Sequence, residues 1–176
     1  MRNIVILLTF SLLSLGCSTL KPSEEGKSKE DSSVTLFVSI PDAKDRVPVK
    51  LIREFNSLEY HKAQKALQFI SKLVPDLTYT NLPTLFWMDS KVFDGLTITP
   101  RVGPKYVLID KDFQFKEQDF KRNNFNYFKF GAILAHEVIG HGERGLNEPE
   151  VKKLVDDRLL NILFFNPTLI EKTLIE

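Results

Sequence analysis

The chain has 176 residues, 43% of them hydrophobic and 27% charged, with 24 Lys and Arg against 23 Asp and Glu. That length suffices for one domain around a single sizeable core, and the near-even charge excludes a field that would draw in nucleic acid. The single cysteine, Cys17, excludes a disulfide within the chain, a thiolate metal cage and a cysteine nucleophile in the folded part.

Arg2 precedes an apolar stretch from Ile4 to Leu15 that is too short to span a bilayer comfortably. A short positive start followed by such a stretch reads as a targeting segment over residues 1–16. Without Arg2 the charges balance at 23 against 23. The segment ends in Ser14-Leu15-Gly16-Cys17, which resembles a lipoprotein signal. Gly16 fits that pattern, whereas Ser14 stands where it carries Leu. The resemblance implies that Cys17 is lipidated and becomes the mature N-terminus, so that the chain is held at a membrane of the bacterial cell envelope. Ser18 in place of Asp implies the outer membrane. Without the resemblance, the segment is an ordinary secretory signal or a simple membrane anchor.

Residues 18–33 are almost devoid of apolar side chains and read as a solvated tether. The lipidated N-terminus and tether thus cover 17–33, and the folded domain covers 34–176. In chain order, 34–40 (VTLFVSI) predicts a strand. Residues 57–74 predict a helix, with Ala63, Ala66, Leu67, Ile70 and Leu73 at helical spacing and Pro75 as its stop. Short strand-like runs follow at 77–80, 84–88, 95–99 and 105–110, punctuated by proline, glycine and aspartate. A helix begins near Asn126, and a last one runs from about Pro149 to Phe164 with one apolar stripe. This order predicts an α+β fold, a small domain with a short, mainly antiparallel sheet and two closing helices.

The helix from Asn126 carries the segment HEVIGH, residues 136–141, behind the apolar run GAILA. Two imidazoles and a carboxylate in such a setting are costly unless paired or bound to a metal. Unmetallated, they would be core histidines satisfied by hydrogen bonds. The segment resembles the HExxH signature of zincin metallopeptidases, with the second histidine one residue late, as in the HExxxH of the tubulin tyrosine carboxypeptidases. Spacing matters here: positions i and i+4 lie about 40° apart around an α-helix, and i and i+5 about 140°. His136 and His141 therefore need a π-bulge to share one ion, and Gly140 sits where the backbone would deform. In an undistorted helix, Glu137 and His141 would instead be the pair on one face.

The resemblance implies zinc on His136 and His141, with Glu137 as the general base that activates a metal-bound water. It further implies a third ligand on a following helix, as in the gluzincins. Gly142 and Gly145 permit the reversal, and Asn147 precedes Glu148 as it does in some of them. Glu150 is the alternative ligand, since Lys152 stands where that family carries Asp. Both acids also serve simply as helix N-terminal charges. His61, beside Lys62 and Lys65, reads as solvated. Tyr106, Tyr127 and Arg144 are candidates for stabilising an oxyanion. The run 105–113 is a candidate edge strand for a peptide substrate, or a plain core strand. The aromatics between Phe113 and Phe130, interleaved with lysines, read as core or as a surface that grips a membrane or substrate.

No GxSxG elbow, phosphate loop or dinucleotide glycine pattern is present. The expectation is a zinc-dependent peptidase of the cell envelope with a peptide or protein substrate, a membrane contact through its lipid and no nucleic-acid partner. The alternative is a non-catalytic envelope lipoprotein on a zincin-derived fold with a structural or lost metal.

Overall fold

Apolar central strands covered on both faces form one five-stranded sheet in the computed structural model, which describes residues 34–39, 46–100, 102–114 and 124–174. β1 (Val34–Ser39) pairs antiparallel with β2 (Arg46–Glu54), Val34 lying opposite Leu51. Strand β2 was not expected from the sequence. Val47, Val49 and Leu51 do alternate, but Pro48 interrupts the run and charged residues fill the other face. β3 (Thr84–Asp89) pairs antiparallel with β2 and parallel with β5 (Tyr106–Asp110). β4 (Gly95–Ile98) pairs antiparallel with β5, giving the order β1-β2-β3-β5-β4.

Helix α1 (Ser57–Leu73) starts at a reciprocal cap: Asn56 accepts from the Glu59 amide, and Glu59 accepts from the Asn56 amide. Residues 77–80, expected as a strand, form an irregular connection, held where the Ser71 hydroxyl donates to the Leu77 carbonyl. α2 covers 124–143, with an α-helical part, Asn124–Leu134, running into a π-helical part, Ala135–Glu143. α3 covers 148–165, with a second π segment at Lys152–Asp156 between Glu148–Val151 and Asp157–Phe165. α4 (Pro167–Lys172) was also not expected and closes the described chain. The fold is α+β, as the order of elements indicated. Among the described residues no helix is long and apolar enough to cross a membrane.

The helices pack on one face of the sheet. Leu67, Ile70, Phe130, Leu134, Val155 and Ile170 meet Leu85, Trp87, Val107 and Ile109 there. The opposite face carries a second apolar cluster with Val38, Val49, Met88, Ile98 and Leu108. Tyr127, Phe128 and Phe130 lie in the first cluster and Phe113 and Phe125 pack against it, so these aromatics are core. Phe115, Phe120, Lys116, Lys121 and Arg122 lie outside the described residues.

Candidate metal centre

His136, His141 and Glu148 come together, each offering one ligand atom within 4.8 Å of the others. The π-helical path of α2 makes this possible. The Arg144 amide donates to the Ile139 carbonyl, five residues back, at 3.0 Å. With the turn widened in this way, histidines five apart share a face and their rings stand 5.0 Å apart. Gly140 acts differently from the expectation. Its φ is not positive, but a Cβ there would lie 2.5 Å from Val151 Cγ1. Its lack of a side chain lets α3 close onto α2, which carries Glu148 to the histidines. Gly145, at φ +62°, makes the reversal between the two helices.

Both imidazoles are oriented from behind. His136 Nδ1 donates to the two Asp156 oxygens at 3.0 and 3.1 Å. His141 Nδ1 donates to the Leu146 carbonyl at 2.8 Å. A carboxylate and a carbonyl can only accept, so both Nδ1 atoms carry protons and each Nε2 is left to face the cluster. Nε2 of His141 and of His136 lie 3.1 and 3.5 Å from the same Glu148 Oε2. Tetrahedral zinc with bonds of about 2.0–2.1 Å separates its ligand atoms by about 3.3 Å. The donor types and these two separations are compatible with such an ion, and all three ligand atoms lie within 4.8 Å of one another.

The surrounding acids favour positive charge on His136. Burial alone would lower the His136 pKa, but the Asp156 hydrogen bond and the charges of Glu137, Asp156 and Glu148 raise it to about 9. Glu137 is buried, and its carboxyl is pushed upward by that burial against the opposing pull of Thr97 and the two histidines. Thr97 Oγ1, on β4, lies 2.9 Å from the Glu137 carbonyl and 2.6 Å from its Oε2. A hydroxyl has one proton. Thr97 therefore shares it between the Glu137 carbonyl and Oε2, and its donation to the carboxylate opposes the upward push of burial.

Glu137, which an undistorted helix would pair with His141, is outside the three-residue group, and its Oε2 is bonded to Thr97 instead. Its carboxyl turns to β4 because the widened helix rotates His136, not Glu137, toward His141. Glu150 is committed elsewhere: it accepts from the Asn147 amide, and its own amide donates to Asn147, closing the cap of α3. The edge-strand expectation also needs correcting. β5 lies between β3 and β4, and β4 is the edge beside the π-helix. Of the candidate oxyanion residues, Tyr106 belongs to the cluster on the far face of the sheet, and Tyr127 is core. Arg144 donates to the Asp76 carbonyl. His61 is exposed on α1 as expected, and Cys17 lies outside the described residues. Asp156 and Thr97 went unnoticed in the sequence. The available signal for Asp156 was its position eight residues after Glu148 on the predicted last helix. Thr97 gave none, since its partner is set by packing.

Comparisons with protein-family models, with curated proteins and with solved structures found no match.

Proposed function

We propose that this chain is a zinc-dependent peptidase of the bacterial cell envelope, held to the membrane by a lipid on Cys17. One observation carries the reading. Two imidazoles, each fixed as an Nδ1–H donor by an acceptor behind it, turn Nε2 toward a single Glu148 oxygen. A proton or a metal ion satisfies nitrogens converging on one carboxylate oxygen, and two nitrogens with one carboxylate suit zinc. Among the described residues three protein ligands rather than four converge, which favours a catalytic site over a structural one.

Zinc, when bound, supplies Lewis acidity and acidifies the attacking water. The chain's own groups do the rest. Glu137 takes up a proton and passes it to the leaving amine. Thr97 holds Oε2 of that carboxyl, which leaves Oε1 as the exchanging oxygen. Gly95 keeps the space beside Oε1 open, since a Cβ there would stand 2.9 Å from it. The substrate backbone lies along β4, the edge strand among the described residues, which brings the scissile bond to Glu137 and the histidines.

The test is metal analysis of the purified mature chain together with hydrolysis of a peptide library. Stoichiometric zinc and chelator-sensitive hydrolysis are expected. Stoichiometric zinc without hydrolysis favours the lipoprotein with a structural metal, and no zinc at all removes the reading.

A further inference from the structure

Where α3 meets α4 the chain turns apolar side chains outward. Val151, Val155 and Leu159 of α3 are buried, and Ile162 and Leu163 pack against the core. The other side of the helix presents Leu160 and Phe164, one turn apart. Phe164 is 70% exposed and its neighbour Phe165 83%. Leu169, at the start of α4, continues the surface. Between Arg158 and Glu171 no residue is charged.

This exposure does not come from a loose chain end. The Asn166 amide donates to the Ile162 carbonyl at 2.9 Å, and the Leu169 amide to the Asn166 carbonyl at 3.0 Å, which closes the turn. Ile170 is fully buried. Beyond it, the Asn124 side-chain amide donates to the carbonyls of Ile170, Glu171 and Thr173. Lys72 donates to the Leu174 carbonyl. Two phenylalanines are thus held out on a rigid, hydrogen-bonded turn. Single exposed apolar residues need no explanation, but a contiguous, rigid and uncharged set marks a contact surface.

We infer that this α3–α4 tip is a membrane-seating surface that dips Phe164 and Phe165 into the lipid interface. The inference rests on the lipid-anchor part of the function proposed above. Sixteen residues, 18–33, separate Cys17 from Val34, and a chain of that length reaches at most about 50–60 Å. A lipid on Cys17 would hold the domain within that distance of the bilayer, at a high effective concentration of lipid. Protein interfaces usually set their register with charges at the rim. Here Arg158, the cation that precedes this run, is bound to Asp76 by two hydrogen bonds, and Lys172 is the cation that follows it. Phenylalanine and leucine flanked by the neutral polar Asn161, Asn166 and Thr168 suit the boundary between headgroups and acyl chains.

The chain has one tryptophan, Trp87, which is 2% exposed and stacked on Phe55, so an added indole reports its own surroundings. Phe165→Trp is made in the mature lipidated chain and reconstituted into phosphatidylethanolamine–phosphatidylglycerol vesicles with brominated acyl chains. Val102→Trp, at a 90% exposed site between β4 and β5, is the comparison. The expected result is a blue shift and loss of the emission added at position 165, with emission at 102 and from Trp87 unchanged. Chain that pellets with vesicles but shows no quenching at 165, or equal quenching at 102, overturns the seating surface while leaving the anchor intact. A blue shift at 165 without quenching, in a chain that sediments as a dimer, assigns the tip to a second copy and also overturns it. Wild-type chain that stays out of the vesicle pellet removes the anchor and the inference together.

Discussion

The carboxylate of Asp156 grips Nδ1 of His136 through both of its oxygens, at 3.0 and 3.1 Å. This contact reaches from the middle of α3 back to α2 and fixes which imidazole nitrogen faces Glu148. Asp156→Ala should leave the ligand set complete but free the His136 ring to turn. Partners of this kind typically govern metal affinity by about 10–100-fold. Zinc competition against a chelator measures the loss. Unchanged affinity in Asp156→Ala would show that the ring is oriented by packing alone.

Glu137 and His141 separate chemistry from metal binding. Glu137→Gln should retain zinc and lose about 10²–10⁴-fold in hydrolysis, because Glu137 lies outside the ligand group. His141→Ala should lose zinc and activity together, since two remaining protein ligands hold the ion weakly. Metal content and initial rates on the same preparations check both. A fully active Glu137→Gln enzyme excludes Glu137 as the base.

Gly140 tests how the site is assembled. A methyl group at this position meets Val151 at 2.5 Å. Gly140→Ala should therefore push α3 away from α2, at a cost of about 1–3 kcal/mol in stability. Zinc affinity should weaken with it, because Glu148 travels with α3. Denaturant unfolding and chelator competition read the two effects separately.

The Asp76–Arg158 pair ties the end of α1 to α3, at 2.6 Å. The Arg158 hydrogen bond, against the opposing effect of desolvation and with help from the Arg158 and Arg144 charges, lowers the Asp76 pKa from 3.8 to about 2. A carboxylate with a depressed folded-state pKa stabilises the fold above its unfolded value, and that contribution disappears as pH falls through the folded value. Wild-type protein should thus lose melting temperature more steeply than Arg158→Ala between about pH 4 and pH 2. Above about pH 5 their difference should stay constant. The effect is exposed to solvent and should shrink in high salt.

Cys17→Ala should block lipid processing or release the chain from membranes. Fractionation and gel mobility identical to wild type would exclude the anchor.

Part of the site was legible because it rests on local geometry. Histidines five apart cannot share a face of an α-helix, so their convergence requires a widened turn, and α2 is π-helical from Ala135 to Glu143. The glycines after His141 imply a reversal, and Gly145 makes it with a positive φ. The apolar periodicity of α1 and the punctuated strands of the sheet are likewise properties of short windows of sequence.

The sequence by itself determined the α+β order of elements, the two histidines with their late spacing, and the return of an acidic helix N-terminus toward them. Only the tertiary structure decided between Glu148 and Glu150. It placed Asp156 behind His136, made β4 rather than β5 the edge, and aligned Thr97 with Glu137. The reason is physical. Helical pitch and turn conformation depend on neighbours in the chain, whereas strand order and helix-to-helix approach depend on contacts between distant segments. The approach of Gly140 to Val151 is such a contact, and no local window of residues encodes it.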